Sequence, residues 1–155
     1  AGSFHSLLVA SDGALYTCGL GKSGQLCLGD KEDRWAPTRV AALKDTAVRA
    51  AAAAEAHSAV LTEAGGVHTF GANNHGQLGH GDEEDCLEPE AVAALAGEEV
   101  AEVAAGGLHT VVRLASGELR AFGWNAHGQL GTGEAGDSSV PAPVALPDPE
   151  AESAA

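Results

Sequence analysis

The sequence predicts an all-β fold of β-propeller blades, each with four antiparallel strands, arranged as three repeats of 52 residues in an incomplete ring. A 52-residue period recurs along almost all of the 155 residues, and each period contains short apolar segments separated by turn residues. The positions that share this period are His5, His57 and His109; Gly13, Gly65 and Gly117; Gly19, Gly71 and Gly123; Gly24, Gly76 and Gly128; Gln25, Gln77 and Gln129; Pro37, Pro89 and Pro141; and Val40, Val92 and Val144. One spacing shared by so many positions, without insertion or deletion, indicates a repeat architecture.

The first two strands of each repeat are predicted to form a β-hairpin. In the third repeat, residues 109–114 (HTVVRL) are rich in β-branched side chains, and residues 118–123 follow after a hairpin-sized gap. Gly accepts the positive φ that tight hairpin turns require. The predicted turn pairs are Asp12-Gly13, Gly65-Gly66 and Ser116-Gly117.

A longer polar loop and two further strands complete the repeat. The loop leads to a Pro-x-x-Val strand, and a fourth apolar segment such as residues 100–104 (VAEVA) follows. Residues 49–56 are almost pure alanine, which by intrinsic propensity favours helix. Because they align in register with residues 101–108, where Val103 suits a strand, we predict a strand and turn there.

The period places the repeats at residues 1–52, 53–104 and 105–146, followed by an acidic Pro/Ala tail or linker at 147–155. The third repeat lacks its last strand, since the tail contains two prolines and no apolar segment. We expect a strand from elsewhere to complete that blade. Three blades cannot close a ring of about four to eight, so the remaining blades of a larger propeller are expected partners.

Composition excludes several classes of protein. No run approaches the roughly 18 apolar residues of a membrane span, and no signal peptide is visible. Eight basic and 22 acidic residues give a net charge of −14, which argues against nucleic acid as a direct ligand. The three cysteines form no C-x-x-C pair, so neither a disulfide framework nor a zinc knuckle is predicted. A reducing, intracellular compartment is expected.

The motifs resemble those of the regulator of chromosome condensation repeat family. They are Gly-x-x-His before an apolar run, Gly-x-Leu/Val-x-x-x-Gly, Gly-Gln-Leu-Gly-x-Gly and Pro-x-x-Val. The resemblance covers the chain to Leu146 and implies a seven-bladed propeller, whereas Kelch repeats have a similar period without Gly-Gln-Leu-Gly. Cys27 and Ala54 replace glycines of the family pattern, and its frequent Trp before the second-strand Gly is replaced at three positions, Cys18, Phe70 and Phe122.

No catalytic, cofactor or metal-binding residues are predicted. The repeated His5, His57 and His109 are expected to orient a turn by hydrogen bonding, each within its own blade. His75, His80 and Asp82 lie close in sequence but lack a known metal-ligand spacing. No helix follows Gly-Gln-Leu-Gly, so these glycines are assigned to turns rather than to phosphate binding. Adjacent His-Ser pairs lie on one strand and point to opposite faces, which excludes a nucleophile and its base.

The charge is concentrated in the second third of the chain. Residues 51–100 contain ten acidic and no basic residues, and Asp82, Glu83, Glu84 and Asp85 lie in the long loop of repeat two. The equivalent loop of repeat one mixes charges and contains Trp35, an aromatic residue that is predicted, with Asp82 to Asp85, to contact a protein partner. Two interpretations remain open: a solvated loop that maintains solubility, or a docking surface for a basic protein partner.

The resemblance implies three functional classes, and a fold alone does not choose among them. We predict a non-enzymatic protein–protein interaction module or scaffold. The alternative is a guanine nucleotide exchange factor for a Ran-type small GTPase, although equal repeat lengths leave no distinctive inserted loop. Ultraviolet-B sensing is rejected for this segment, because the aromatic motif Gly-Trp-Arg-His-Thr is absent. Its Trp position is occupied by Ser3, Glu55 and Gly107.

Overall fold

The computed structural model describes residues 1–149, which form strands and two single-turn 3-10 helices. The helices, Ala41–Leu43 and Ala93–Leu95, each precede a strand at the end of a repeat. The strands are β1 His5–Val9, β2 Leu15–Gly19, β3 Arg34–Arg39, β4 Val48–Ala53, β5 His57–Thr62, β6 Val67–Gly71, β7 Cys86–Ala91, β8 Val100–Ala105, β9 His109–Leu114, β10 Leu119–Gly123 and β11 Ser138–Pro143.

The strands form three antiparallel sheets in an open ring: β1-β2-β3, β4-β5-β6-β7 and β8-β9-β10-β11. Each four-stranded sheet takes its first strand from the end of the preceding repeat. A tight turn at 54–56 folds β4 back on β5, with Ala53 opposite Ser58, whereas a 3-10 helix carries the chain from β3 to the next sheet. We refer to the sheets as blades one, two and three.

This pairing corrects the expectation that the last blade is short of a strand. Blade three has four strands because β8 completes it, and the three-stranded sheet is blade one. Residues 105–146 do contain only three strands, β9 to β11. The expectation of an unfinished blade was wrong because a period fixes the length of a repeat but not its phase. The expected tail at 147–155 lies partly outside the described residues, and its proposed role stays a prediction.

The predicted turns and the alanine-rich strand are confirmed. The hairpin glycines Gly13, Gly65 and Gly117 have φ values of 84°, 85° and 93°, in the left-handed region that glycine adopts readily. Residues 48–53 form strand β4 despite their alanine content, since pairing with β5 outweighs a weak intrinsic preference for helix.

The hydrophobic core lies between successive blades. Phe70 and Phe122 are fully buried, and each belongs to one of two apolar clusters. The cluster between blades one and two includes Leu15, Val40, Val48, Val60 and Phe70. The cluster between blades two and three includes Leu61, Val67, Val100, Val112 and Phe122.

Among residues 1–149, the structure contains no helix long and apolar enough to cross a membrane.

Candidate functional site

The long loops between the second and third hairpin strands gather at one end of the blades, which we call the loop end. Each loop contains the Gly-Gln-Leu turn. Gln25 Oε1 accepts a hydrogen bond from the backbone N–H of Ser23 at 2.8 Å, and Gln77 and Gln129 make the equivalent bond. Gly24, Gly76 and Gly128 have positive φ values of 83°, 74° and 74°. These repeated residues therefore shape the turn.

The Gly-Gln-Leu turn also packs against the next blade. A Cβ added to Gly24 would lie 2.6 Å from Leu87 Cδ2, and one added to Gly76 would lie 2.5 Å from Ser139 Cα. At Gly128 such an atom would meet nothing within 4 Å. The backbone N–H groups of Gly29 and Gly81 donate to the carbonyls of Leu87 and Ser139, respectively. The turn is thus a repeated blade-to-blade contact.

Two of the three repeated histidines, His5 and His57, join successive blades, which corrects the expectation that each acts within its own blade. His5 Nε2 lies 2.7 Å from Ser58 Oγ, and His57 Nε2 lies 2.9 Å from Thr110 Oγ1. Ser58 donates its proton to the Gln25 carbonyl, and Thr110 donates to the Gln77 carbonyl. Each hydroxyl therefore accepts from the histidine N–H, so the histidine acts as a donor and not as a base.

Burial keeps these histidines neutral. Burial, followed by the neighbouring charges of His5 and His109, lowers the pKa of His57 to about 3. Burial, followed by the chain's amino terminus, lowers the pKa of His5 to about 4. His109 is only half-buried, and burial lowers its pKa as well. Among residues 1–149, no hydroxyl of a following blade accepts a hydrogen bond from its imidazole.

Acidification is therefore expected to destabilise the protein. Unfolded His57 takes up a proton with a pKa near 6.5, whereas the folded residue stays neutral until about pH 3. Its contribution to stability is present above pH 6.5 and is lost as the pH falls toward 3. From pH 7.5 to pH 5 we expect a loss of about 2 kcal/mol from this residue, at about 1.4 kcal/mol per pKa unit.

Urea unfolding of the wild type and of His57→Gln at the two pH values measures this loss. The glutamine amide can still donate toward Thr110 but cannot titrate. Equal pH dependence in the two proteins would show that His57 does not carry the effect.

A carboxylate that recurs at the repeat period closes each long loop, a role that the sequence analysis missed. Asp33 Oδ1 accepts from the Gly21 backbone N–H at 2.9 Å. Asp85 and Asp137 make the same 2.9 Å bond with Asn73 and Asn125. Asp33, Asp85 and Asp137 are 52 residues apart, so the period contained the signal that could have found them.

The predicted acidic surface, residues 82–85, divides into structural and free carboxylates. Asn73 Nδ2 donates to Asp82 Oδ1 at 2.9 Å, and the Glu84 backbone N–H donates to the same oxygen at 3.1 Å. Asp85 is bound to Asn73 as described above. Among the described residues, no hydrogen bond or ion pair involves the carboxylates of Glu83 and Glu84, which are exposed. The loop thus fixes its own backbone and points two acidic side chains to solvent.

Trp35, the other predicted partner residue, is fully exposed on β3. Its repeat equivalents are Leu87 and Ser139. Both of these residues contact the Gly-Gln-Leu turn of the preceding blade and accept backbone hydrogen bonds from it. The structure thus does not bring Trp35 and residues 82–85 into one site, because Trp35 lies on β3 of blade one and residues 82–85 lie in the long loop of blade two.

The residues considered for metal binding are also separated. His75 Nδ1 lies 2.9 Å from Asp137 Oδ2, and its ring lies 5.8 Å from that of Trp124. His80 instead lies beside Cys86 and Glu90. Burial, followed by hydrogen bonding to Glu90 and nearby negative charges, raises the pKa of Cys86 to about 12. A thiol that is protonated at neutral pH is a poor nucleophile.

Comparison with known families identifies the repeat. The family model described as "Regulator of chromosome condensation (RCC1) repeat" matches residues 12–61 and 64–113, and a second model of that description matches residues 100–129. The chain belongs to the RCC1 repeat family. The resemblance found in the sequence is confirmed.

Relatives with RCC1 repeats differ in activity. Human "Probable E3 ubiquitin-protein ligase HERC3" is 43% identical over 145 residues, which are 93% of this chain and 14% of the ligase. "Ultraviolet-B receptor UVR8" of Arabidopsis thaliana is 37% identical over 148 residues, which are 96% of this chain and 34% of the receptor. The chain thus spans well under two thirds of both relatives. A ligase and a light receptor share these repeats, so the repeat alone does not specify an activity.

Solved structures confirm the prediction of propeller blades. Human WBSCR16 superposes with a TM-score of 0.83 at 26% identity, covering 92% of this chain and 36% of that one. Prp20p from Saccharomyces cerevisiae, whose structure was described with its binding properties to Gsp1p and histones, gives a TM-score of 0.84 at 24% identity. The match covers 94% of this chain and 37% of Prp20p.

Proposed function

We propose that the chain is a non-enzymatic protein-interaction module of RCC1 repeats, in which residues 82–85 dock a basic protein partner. The observation that carries this proposal is the ordered acidic loop at the loop end of blade two. Asp82 and Asp85 hold its backbone through Asn73, while Glu83 and Glu84 are exposed. A preformed loop binds without the entropic cost of ordering a flexible segment.

The charge of this loop supports a basic partner. Residues 82–85 are four consecutive acidic residues, and the stretch 51–100 that contains them has no lysine or arginine. A surface potential of one sign accelerates the encounter with a partner of the opposite sign. We therefore expect the acidic charge to act mainly on the association rate and on the salt dependence of that rate.

We further propose that Trp35 and His109 contact additional blades and not a separate partner. Trp35 stands where Leu87 and Ser139 contact a preceding blade. His109 stands where His5 and His57 donate to a hydroxyl of the following blade. In a larger propeller, each of these contacts is repeated at every boundary between blades. Further blades would then cover Trp35 and His109, and the acidic loop would be the surface available to a partner.

The double variant Glu83→Gln/Glu84→Gln tests the docking surface. Core histones serve as the basic probe, chosen because histones are among the proteins whose binding by Prp20p was described. At low ionic strength we expect association to slow by about threefold or more and its salt dependence to flatten. Stopped-flow fluorescence over a salt series measures both quantities. Neither substitution removes a hydrogen bond that holds the loop.

The matched control is Glu63→Gln/Glu99→Gln, which changes the net charge equally at the opposite, hairpin end of the blades. It should bind histones at nearly the wild-type rate. Equal slowing by both double variants would show a general charge effect and no docking surface. Guanine nucleotide release from a Ran-type GTPase is measured in parallel, since catalytic acceleration of release would establish the exchange-factor alternative.

A further inference from the structure

Three different ligand-type side chains meet beside the outer strand of blade two. Cys86 and Glu90 lie on β7, and His80 lies in the loop that precedes it. Cys86 Sγ lies 3.1 Å from Glu90 Oε2, and His80 Nε2 lies 3.9 Å from the same oxygen. One ligand atom from each residue falls within 4.8 Å of the others.

The repeat itself does not require these residues. The equivalent positions are Leu28, Arg34 and Thr38 in blade one, and Thr132, Ser138 and Ala142 in blade three. Both of those blades form the hairpin, the long loop and the outer strand that are equivalent to β5, β6, the loop at 72–85 and β7. The His80, Cys86 and Glu90 combination is therefore a property of blade two alone and is not explained by the fold.

We propose that His80 Nε2, Cys86 Sγ and Glu90 Oε2 bind a divalent zinc-type cation, with water in the fourth position. Imidazole, thiolate and carboxylate are the three ligand classes that Zn²⁺ uses in proteins, and three protein ligands with one water form an open tetrahedral site. The thiolate favours zinc over magnesium or calcium, which prefer oxygen ligands. The sequence predicted no metal at His75, His80 and Asp82, and the proposed site shares only His80 with that set.

The surroundings of the cluster favour a cation. Asp82 and Asp85 lie close enough to act electrostatically on the Cys86 thiol. His80 is held in place, because its side chain is only 4% exposed and its Nε2 lies 2.9 Å from Thr69 Oγ1. Glu90 is 59% exposed and provides access from solvent. A buried imidazole with an exposed carboxylate gives a site that is partly preformed and reachable.

Metal binding must rearrange two protons. Thr69 donates its hydroxyl to the Leu78 carbonyl at 2.7 Å, so His80 Nε2 carries the proton of the metal-free imidazole. On binding, this proton moves to Nδ1, and the imidazole gives up its hydrogen bond to Thr69 Oγ1, so that the Nε2 lone pair can face the metal. The Cys86 thiol releases its proton to solvent, so one proton is liberated for each Zn²⁺ bound. No oxidation or reduction takes place.

Titration of the full chain with Zn²⁺ and Co²⁺ tests the site. We expect one equivalent of Zn²⁺ to bind in competition with a chromophoric chelator. Co²⁺ at the same stoichiometry should give a thiolate-to-cobalt charge-transfer band in the near ultraviolet and the visible spectrum of a four-coordinate ion. Co²⁺ held only by surface carboxylates would show neither feature, and that outcome would overturn the proposal without any variant.

Each variant replaces one proposed ligand by the residue found at the equivalent position of blade three: His80→Thr, Cys86→Ser and Glu90→Ala. Cys86→Ser should abolish the charge-transfer band and weaken Zn²⁺ binding by more than about 100-fold, since even second-shell partners are worth 10–100-fold. Cys18→Ser and His75→Ser are the controls, as they remove the same ligand types outside the cluster. Unchanged affinity in Cys86→Ser, or equal losses in the two controls, would contradict the site. Circular dichroism of each variant confirms that the blades remain folded.

Discussion

Replacing Gly76 by alanine is expected to lower the free energy of unfolding by about 2 to 5 kcal/mol. Gly76 has a φ of 74°, and a left-handed conformation costs a side-chain-bearing residue about 1 to 2 kcal/mol. The added Cβ would also lie 2.5 Å from Ser139 Cα in the backbone of β11. Relieving such overlap in a packed interface costs about 1 to 3 kcal/mol. Urea unfolding followed by tryptophan fluorescence measures the change.

Gly128→Ala is the matched control, since the two glycines share the repeat position and the φ of 74°. The added Cβ at residue 128 meets nothing within 4 Å, so only the conformational cost of about 1 to 2 kcal/mol is expected. Equal losses in the two variants would show that Gly76 is required for its backbone conformation alone. In a longer protein with a following blade, Gly128→Ala should become as destabilising as Gly76→Ala.

Replacing Ser58 by alanine is expected to cost about 2 to 6 kcal/mol, because it removes one hydroxyl that serves two buried groups. His5 Nε2–H loses its acceptor, and the Gln25 carbonyl loses its donor. Each buried polar group left without a partner costs about 1 to 3 kcal/mol. The loss of side-chain volume is a single oxygen, so cavity formation adds little. Equilibrium unfolding in urea measures the loss.

Ser6→Ala serves as the control for Ser58→Ala. Ser6 occupies the same repeat position at the start of blade one. In residues 1–149, no histidine of another blade donates to its hydroxyl as His5 does to that of Ser58. Its replacement should change stability by less than about 0.5 kcal/mol, as is usual for a surface substitution. A large loss of stability in Ser6→Ala would show that the repeat position itself requires serine. No loss in Ser58→Ala would show that the contact with His5 does not stabilise the fold.

The elements of the fold were predictable because they are local. Turn glycines, β-branched runs and the aligned alanine-rich segment each carry their signal within a few residues, and the period repeats that signal three times. The phase of the blades was not predictable. A repeat of 52 residues has the same period wherever it is cut, and only the tight turn at 54–56 decides that β4 belongs with β5.

The contacts of the candidate site depend on distances between blades, which the sequence does not encode locally. Strand alternation indicates that Ser58 points away from its neighbour His57, but not that it meets His5 of the preceding blade. The sequence alone does not show which of the four acidic residues at 82–85 are structural. In the structure, the carboxylates of Asp82 and Asp85 bind Asn73 and fix the loop, whereas those of Glu83 and Glu84 do not. The period of Asp33, Asp85 and Asp137 could have shown part of this difference.

The central claim is that the repeated positions join successive blades and so hold the loop end in place. A double-mutant cycle between His5 and Ser58 tests it most directly, using His5→Ala, Ser58→Ala and the double variant in urea unfolding. We predict that the double variant loses less stability than the sum of the single variants, with a coupling energy of about 1 to 2 kcal/mol. Strict additivity of the two single losses would contradict the claim.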